Sequence, residues 1–324
     1  MSEKIRVAVL RGGPSHEYNV SLETGKHILS LLEKSPKYQP KDIFISKGGD
    51  WHRDGLAHEP SQALLGVDVV FNALHGAYGE DGQVQEILEE LGMPFTGSYS
   101  VASALAMDKE ATKKVFTEKG LLVPRHELVD GSVTHDQLLY IFQNYLHPVI
   151  VKPTHGGSSI GTCLANTFQE LSEAIGHALM HSKRVLVEEF IRGKEATCGV
   201  VENHRGHELY ALLPIEIRKP AGSHFFDYES KYSGKSEEIC PGNFTAEEKE
   251  QIEDMARRAH QMLDLRHYSR SDFMITPSSK VYILETNTLP GFTKESLLPK
   301  ALQAVGWPPE DFVDHIIGLA MEGR

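Results

Sequence analysis

Over the first hundred residues, short β-branched runs alternate with stretches of helical period. Ile5–Leu10 (IRVAVL) is apolar at nearly every position and stops at Gly12-Gly13-Pro14, the pattern of a buried strand followed by a turn. Ser21–Leu32 has the spacing of a helix. Val67–Leu74 reads as another buried strand, followed by a loop, His75–Gly82, and a helix from about Val84 to Leu91. Strands alternating with helices in this way predict a parallel α/β sheet.

The pattern then changes. Ser98–Leu105 is rich in Ala and Ser, and Asp108 is placed to cap a helix over Lys109–Lys119. Val149–Lys152 reads as a strand before the loop His155–Gly161, and Thr167-x-x-Glu170 opens a helix reaching about Met180. Arg184–Glu189, Thr197–Val201 and Leu209–Glu216 follow as strands. Ala221–Pro241 is polar, Gly- and Ser-containing and without period, which marks a long functional loop. Thr245-x-x-Glu248 caps a helix to about Leu263. Tyr268–Ile275 and Val281–Asn287 flank Pro277-Ser278-Ser279, a hairpin signal, and a last helix covers about Pro309–Met321. There is no internal repeat.

Composition enters mainly by exclusion. A chain of 324 residues is long for one core, so two or three domains are expected. Lys+Arg 33 against Asp+Glu 45 gives a net charge of −12, and no basic run is present to replace phosphate counterions, which argues against nucleic acid. The apolar stretches are far too short to span a bilayer, and Met1–Leu10 has no signal-peptide h-region. Three widely spaced cysteines, Cys163, Cys198 and Cys240, form no CxxC pattern. They fit a reducing compartment, so a cytoplasmic protein is expected.

The terminal hairpin carries the most chemistry. Side chains alternate along a strand, so Arg270 and Asp272 share one face, as do Glu285 and Asn287 on the partner. Two carboxylates and an amide oxygen are a hard donor set suited to Mg²⁺ bearing nucleotide phosphates; a solvated face with an Arg–Asp pair is the plainer alternative. A second constellation, Val151–Gly161, combines Lys152 with glycines and hydroxyls able to cradle phosphate oxygens. It is not a P-loop: Gly234-Lys235-Ser236 has Glu229 where the first glycine belongs. Neither Gly-rich loop spells GxGxxG. Gly157-Ser158-Ser159-Ile160-Gly161 matches the serine-hydrolase elbow in letters, which keeps a serine hydrolase built on Ser159 as an alternative of a different class. Lys109 opens a helix, where a cation opposes the macrodipole; an anionic ligand nearby or a merely solvated lysine would each account for it. His75–Gly82 follows a strand end, the usual ligand edge of an α/β sheet.

Taken together these segments resemble the D-alanine–D-alanine ligases of the ATP-grasp superfamily, from Ile5 to about Ala304. The resemblance rests on Gly12-Gly13-Pro14-Ser15-His16-Glu17 with Val20-Ser21-Leu22, on His75-Gly76 with Gly79-Glu80-Asp81-Gly82, on Lys152-Pro153 with Gly157-Ser158-Ser159, and on Asn287-Thr288-Leu289-Pro290-Gly291. It implies a Rossmann-like N-terminal domain (1–98), then a two-subdomain ATP-grasp fold (99–186 and 187–324) with a lid loop over 221–241. It also implies ATP-dependent joining of two D-alanines through a D-alanyl phosphate, for peptidoglycan precursor synthesis, with Mg²⁺ (or Mn²⁺) and commonly as a homodimer. By matching position, Lys109, Lys152 and Lys231 would hold ATP phosphates. Glu188 and Ile191 would contact adenine through backbone groups, Phe190 would pack on the ring, and Glu195 would take the ribose. Asp272, Glu285 and Asn287 would bind the metal, and Arg270 with the Gly291 N–H would stabilise the oxyanion. Glu17 and His75 would hold the first substrate and Ser296 the carboxylate of the second, with Tyr232 latching toward Ser158 and Glu17. Lys231-Tyr232 follows the dipeptide-forming pattern, against a depsipeptide-forming relative that uses D-lactate. Tyr18-Asn19, Glu86 and His155-Gly156 depart from the family pattern.

Overall fold

The computed structural model describes residues 3–131, 133–218 and 237–322. Three sheets organise them. In the first, strands β1 (Ile5–Gly12), β2 (Tyr38–Ile45) and β5 (Val69–Asn72) run parallel, while β3 (Trp51–Arg53) and β4 (Leu56–His58) extend it antiparallel, in the order β4-β3-β2-β1-β5. Val7–Leu10 are fully buried in succession because helices cover both faces of a parallel sheet. Helix α1 (Tyr18–Lys34) lies on one face, and α3 (Gln83–Glu90) on the other, with Val84 and Leu88 packed against Ala8, Leu10 and Val70. The short helix α2 (Pro60–Ala63) lies between β4 and β5. Gly12 ends β1 at φ +95°, where an added Cβ would stand 2.2 Å from the Ile45 carbonyl oxygen, so only glycine fits the exit from the sheet.

Helices α4 (Ser100–Met107) and α5 (Lys109–Glu118) follow. Asp108 caps α5 as expected, accepting the N–H groups of Glu110 and Ala111 at 3.0 and 3.1 Å. The second sheet is antiparallel, in the order β6 (His126–Asp130), β9 (Arg184–Glu189), β7 (Val149–Pro153), β8 (Cys163–Ala165). Helices α6 (His135–Asn144) and α7 (Phe168–Leu179) complete its core. The third sheet is antiparallel in the order β13 (Glu237–Ile239), β12 (Ile215–Arg218), β10 (Lys194–His204), β14 (Tyr268–Ile275), β15 (Val281–Asn287), with β11 (His207–Ala211) paired on β10. Helix α8 (Ala246–Met262), opened by the expected capping box at Thr245, packs with α4 and α5 on one face of it. The closing helices α9 (Leu297–Ala304) and α10 (Pro309–Glu322) return to the first sheet: Phe312, Ile316 and Trp307 share a core with Val7, Val9 and Phe71.

Several expectations are corrected here. Leu209–Glu216 is two strands, because the chain leaves the ladder at Leu212–Pro214. Of the stretch read as a loop, Glu237–Ile239 is β13, paired antiparallel with β12, while 219–236 lie outside the described residues. Strand β9 spans Arg184–Glu189, across the position taken as the boundary between the second and third units. Among the described residues no helix is long and apolar enough to cross a membrane.

Candidate active site

The second and third sheets face each other across a cleft lined from one side by Ile150, Lys152, Glu188, Phe190 and Ile191, and from the other by Glu195, Asp272, Met274, Leu284 and Glu285. A smaller hollow adjoins it toward the first sheet, lined by Glu80, Met107, Asn287 and Thr288, and sharing Lys109, Gly156, Gly157 and Glu285 with the main cleft.

The hairpin supplies one wall. Its turn centres on Ser278, since Ile275 pairs with Val281, and farther along Asp272 lies opposite Glu285 and Arg270 opposite Asn287. Ser271 and Thr286, one residue out of phase, are buried on the opposite face and joined hydroxyl to hydroxyl at 2.8 Å. A bulge between Asp272 and Phe273 leaves Leu284 without a counterpart, so two successive residues of β15, Leu284 and Glu285, line the cleft. Arg270 grips Asp272 with two hydrogen bonds (Nε to Oδ1 3.0 Å, Nη2 to Oδ2 3.1 Å), and the Thr197 hydroxyl donates to Oδ1 at 2.6 Å. Burial opposes the Arg270 charge, but Asp272, then Glu285 and Glu80, hold its pKa above the ordinary arginine value. Lys109 reaches from α5 to Glu285 at 3.5 Å and donates to the Gly156 carbonyl at 2.6 Å, so the cation at this helix start already has an anion within the protein.

Among the described residues no group of three His, Cys, Asp or Glu side chains is placed to hold a metal ion. The hairpin set contains two such carboxylates and completes its donors with the amide of Asn287, whose Oδ1 also accepts the Leu289 N–H at 2.8 Å. Two carboxylates opposed in register with a neutral oxygen beside them fit a hard divalent cation.

Glu188 lies on β9, an inner strand of the second sheet, opposite His126 of β6 on one side and Ile150 of β7 on the other. Its carboxylate meets Lys152 at 3.1 Å and, unanticipated from the sequence, Lys113 of α5 at 3.2 Å. Burial disfavours the charge on Glu188, yet the two lysines hold its carboxyl below the usual carboxylate range. The resemblance implies a backbone contact to a base here; it is the carboxylate that the structure shows engaged by cations.

Glu17 precedes α1, so its negative charge lies at a helix N-terminus, where it is favoured. Its backbone N–H donates to Ser15 Oγ at 3.0 Å, and its carboxylate accepts the Ser158 hydroxyl. A Cβ on Gly157 would come within 2.6 Å of the Glu17 carboxylate and one on Gly76 within 2.8 Å, so two glycine backbones clamp it between the first unit and the Gly-rich loop. Ser158 and Ser159 both take left-handed φ, +49° and +57°, a conformation non-glycine residues hold only when their surroundings impose it. His75 is buried, with Thr24 Oγ1 at 2.9 Å and Glu80 Oε1 at 3.3 Å. Burial pushes the Glu80 carboxyl pKa up; the hydrogen bond from His75 counters this, and Glu17 adds to it.

Of the expected site residues described, Glu17, His75, Ser158, Arg270, Gly291 and Ser296 line neither hollow. Gly291 and Ser296 do adjoin one another: a Gly291 Cβ would lie 3.1 Å from Ser296 Oγ, which also accepts the Thr293 N–H at 3.0 Å. Lys231 and Tyr232 lie outside the described residues. The hydrolase alternative on Ser159 is corrected, because the chain runs from it into strand β8 rather than the helix that the elbow requires. Thr197, like Lys113, carries no sequence signal of its own and is found only through the charged group it touches; Ser15 and Glu80 lie inside motifs of the resemblance, but their contacts with Glu17 and His75 come from the fold.

The description "D-ala D-ala ligase C-terminus" matches residues 116–318 and "D-ala D-ala ligase N-terminus" residues 55–98. A D-alanine–D-alanine ligase of Desulfotalea psychrophila is 40% identical, over 99% of this chain and 96% of that one, and one of Halalkalibacterium halodurans is 39% identical, over 98% and 100%. Among solved structures, the D-alanine–D-alanine ligase of Coxiella burnetii superposes with a TM-score of 0.85 at 29% identity, covering 99% of this chain and 95% of that chain. The VanG D-Ala:D-Ser ligase of Enterococcus faecalis gives 0.85 at 31%, covering 98% and 100%. With its cleft between two antiparallel sheets and this likeness along its whole length, the chain belongs to the D-alanine–D-alanine ligase family of ATP-grasp enzymes.

Proposed function

We propose that the protein joins two D-alanine molecules to D-alanyl-D-alanine at the expense of ATP. The observation that carries the reading is the grouping of Arg270, Asp272, Glu285 and Asn287 on one hairpin face beside Lys109 and Lys152. A free carboxylate is a poor electrophile, so amide formation needs a leaving group. An oxygen of the first D-alanine attacks the γ-phosphorus of ATP, the bond to ADP breaks, and D-alanyl phosphate forms. The uncharged amine of the second D-alanine then attacks the acyl carbon, and phosphate departs with the oxygen it gained.

The residues divide this work. Lys152 and Lys109 hold phosphate oxygens, joined by Lys231, while Phe190 packs on the base, Ile191 and Glu188 meet its edge, and Glu195 takes the ribose. Asp272, Glu285 and Asn287 hold Mg²⁺, which when bound offsets the charge of the transferring phosphate. Glu17 receives the ammonium of the first D-alanine, assisted by His75, with Ser158 and Tyr232 closing over it. Ser296 meets the carboxylate of the second. Arg270 and the Gly291 N–H face the oxyanion that develops at the acyl carbon. A cytoplasmic homodimer belongs to the same reading.

The test is phosphate release from ATP with D-alanine or L-alanine alone, and with D-alanine accompanied by D-serine or D-lactate, with the product identified. D-alanine alone should give rapid release and D-alanyl-D-alanine. Release only when D-serine or D-lactate accompanies D-alanine would move the protein to a different second substrate. No release with any of them would refute the reading.

A further inference from the structure

Lys113 is fully buried, lines neither hollow and has no role in the chemistry above, yet it is a charged side chain without a hydrogen-bond partner among the described residues. Its Nζ lies 3.2 Å from Glu188 Oε1, the same oxygen that Lys152 approaches at 3.1 Å. That oxygen also lacks a hydrogen bond of good geometry, so both contacts are charge pairs off the hydrogen-bonding angle. Two ammonium groups share one carboxylate oxygen, so this trio of side chains carries one positive charge in excess. The two cations are not equivalent. Lys152, on β7, lines the cleft; Lys113, on α5, lies behind Glu188.

We infer that Lys113 is a positioning residue that keeps Glu188 neutralised while Lys152 leaves that carboxylate for an anionic oxygen of a bound nucleoside triphosphate. The inference rests on the nucleotide reading of the cleft. A buried carboxylate stripped of its only cation is strongly unfavourable, so a lysine that served as the sole partner of Glu188 would be held in place. With Lys113 behind it, Glu188 keeps one counter-ion whichever way Lys152 points. Burial lowers the pKa of Lys113 to about 8, with Glu188 and Glu285 opposing the shift and Lys152 adding to it.

The test is a double-mutant cycle on affinity for a non-hydrolysable ATP analogue with Mg²⁺, measured by calorimetry on the full chain. Lys113→Met should weaken binding by about tenfold or more, because Lys152 becomes the only partner of Glu188. Glu188→Gln removes the charge that needs a partner, so Lys113→Met in that background should cost less than about threefold. A structural role for Lys113 would give the same loss in both backgrounds, and that result overturns the inference, as does wild-type affinity in Lys113→Met alone. If Lys113→Met does not fold, the comparison is the double variant against Glu188→Gln: near-equal affinity supports the inference, and a further large loss or failure of the double variant to fold overturns it. Failure of the wild-type protein to bind the analogue would instead refute the nucleotide reading.

Discussion

Replacing Arg270 with methionine keeps most of the side chain's apolar length and removes its guanidinium. In the structure that group makes two hydrogen bonds to Asp272, at 3.0 and 3.1 Å, and both side chains are only 17% exposed. Removing one partner of a buried pair typically costs ~3–5 kcal/mol. Because Asp272 keeps the Thr197 hydroxyl at 2.6 Å, the expected loss is at the lower end, about 3 kcal/mol by urea unfolding. Mg²⁺ with a nucleotide analogue should return part of it, since Asp272 regains a cation. The catalytic effect is separate. A donor aimed at a developing oxyanion is worth about 3–4 kcal/mol, so kcat should fall about a hundred- to a thousandfold while nucleotide affinity changes little. Coupled phosphate-release kinetics at saturating ATP and D-alanine measure this. A kcat within about tenfold of wild type, or a loss confined to the KM for ATP, would refute the oxyanion assignment.

Asp272→Asn and Glu285→Gln should each abolish turnover at saturating Mg²⁺ with an unchanged circular dichroism spectrum; substantial phosphate release by either would remove it from the metal site. Gly157→Ala places a Cβ 2.6 Å from the Glu17 carboxylate, so D-alanine KM should rise sharply while Tm stays close to wild type, and an unchanged KM would show that Glu17 does not hold substrate. Burial, with Arg266, His260 and His315 adding, lowers the pKa of His267 from 6.5 to about 2. Its contribution to stability is therefore complete above pH 6.5 and lost as pH falls toward about 2, at up to ~1.4 kcal/mol per pH unit for one proton. Asn tolerates the φ of +69° at this position and can accept the Gly97 N–H that His267 Nδ1 takes at 3.1 Å. The His267→Asn variant should accordingly show a flatter stability profile than wild type between about pH 6.5 and 4.5, and parallel profiles would contradict this.

Strands and caps that carry their own chemistry were legible in the sequence. The terminal hairpin was readable to its end residues because alternation, β-branching and the Pro-Ser-Ser turn agree, and Thr245 announced α8 because its capping box is complete. Strand β2 (YQPKDIFI) was hidden: Pro40 and three charged or amide side chains break the apolar run, and its pairing with β1 on one edge and β3 on the other supplies what propensity does not. Helix α6 was missed although Thr134 and Gln137 form a full capping box. The bulge at Asp272 has no sequence mark, and neither does the burial of Lys113, since Lys-Lys ahead of Val115 and Phe116 reads as a solvated helix face. What could be read from the residues unaided was the polar face of the hairpin and the Gly-rich loop after Lys152. That Glu17, separated from both by more than a hundred residues, accepts a hydrogen bond from Ser158 required the fold.

In the proposed reaction the first D-alanine is activated by phosphorylation of its carboxylate. D-alanine labelled with heavy oxygen in that group tests it directly, with the released phosphate analysed by mass spectrometry. One labelled oxygen should pass to phosphate for each dipeptide formed, because the bond broken in the second step lies between the acyl carbon and the oxygen that attacked phosphorus. Dipeptide formation with unlabelled phosphate would contradict it.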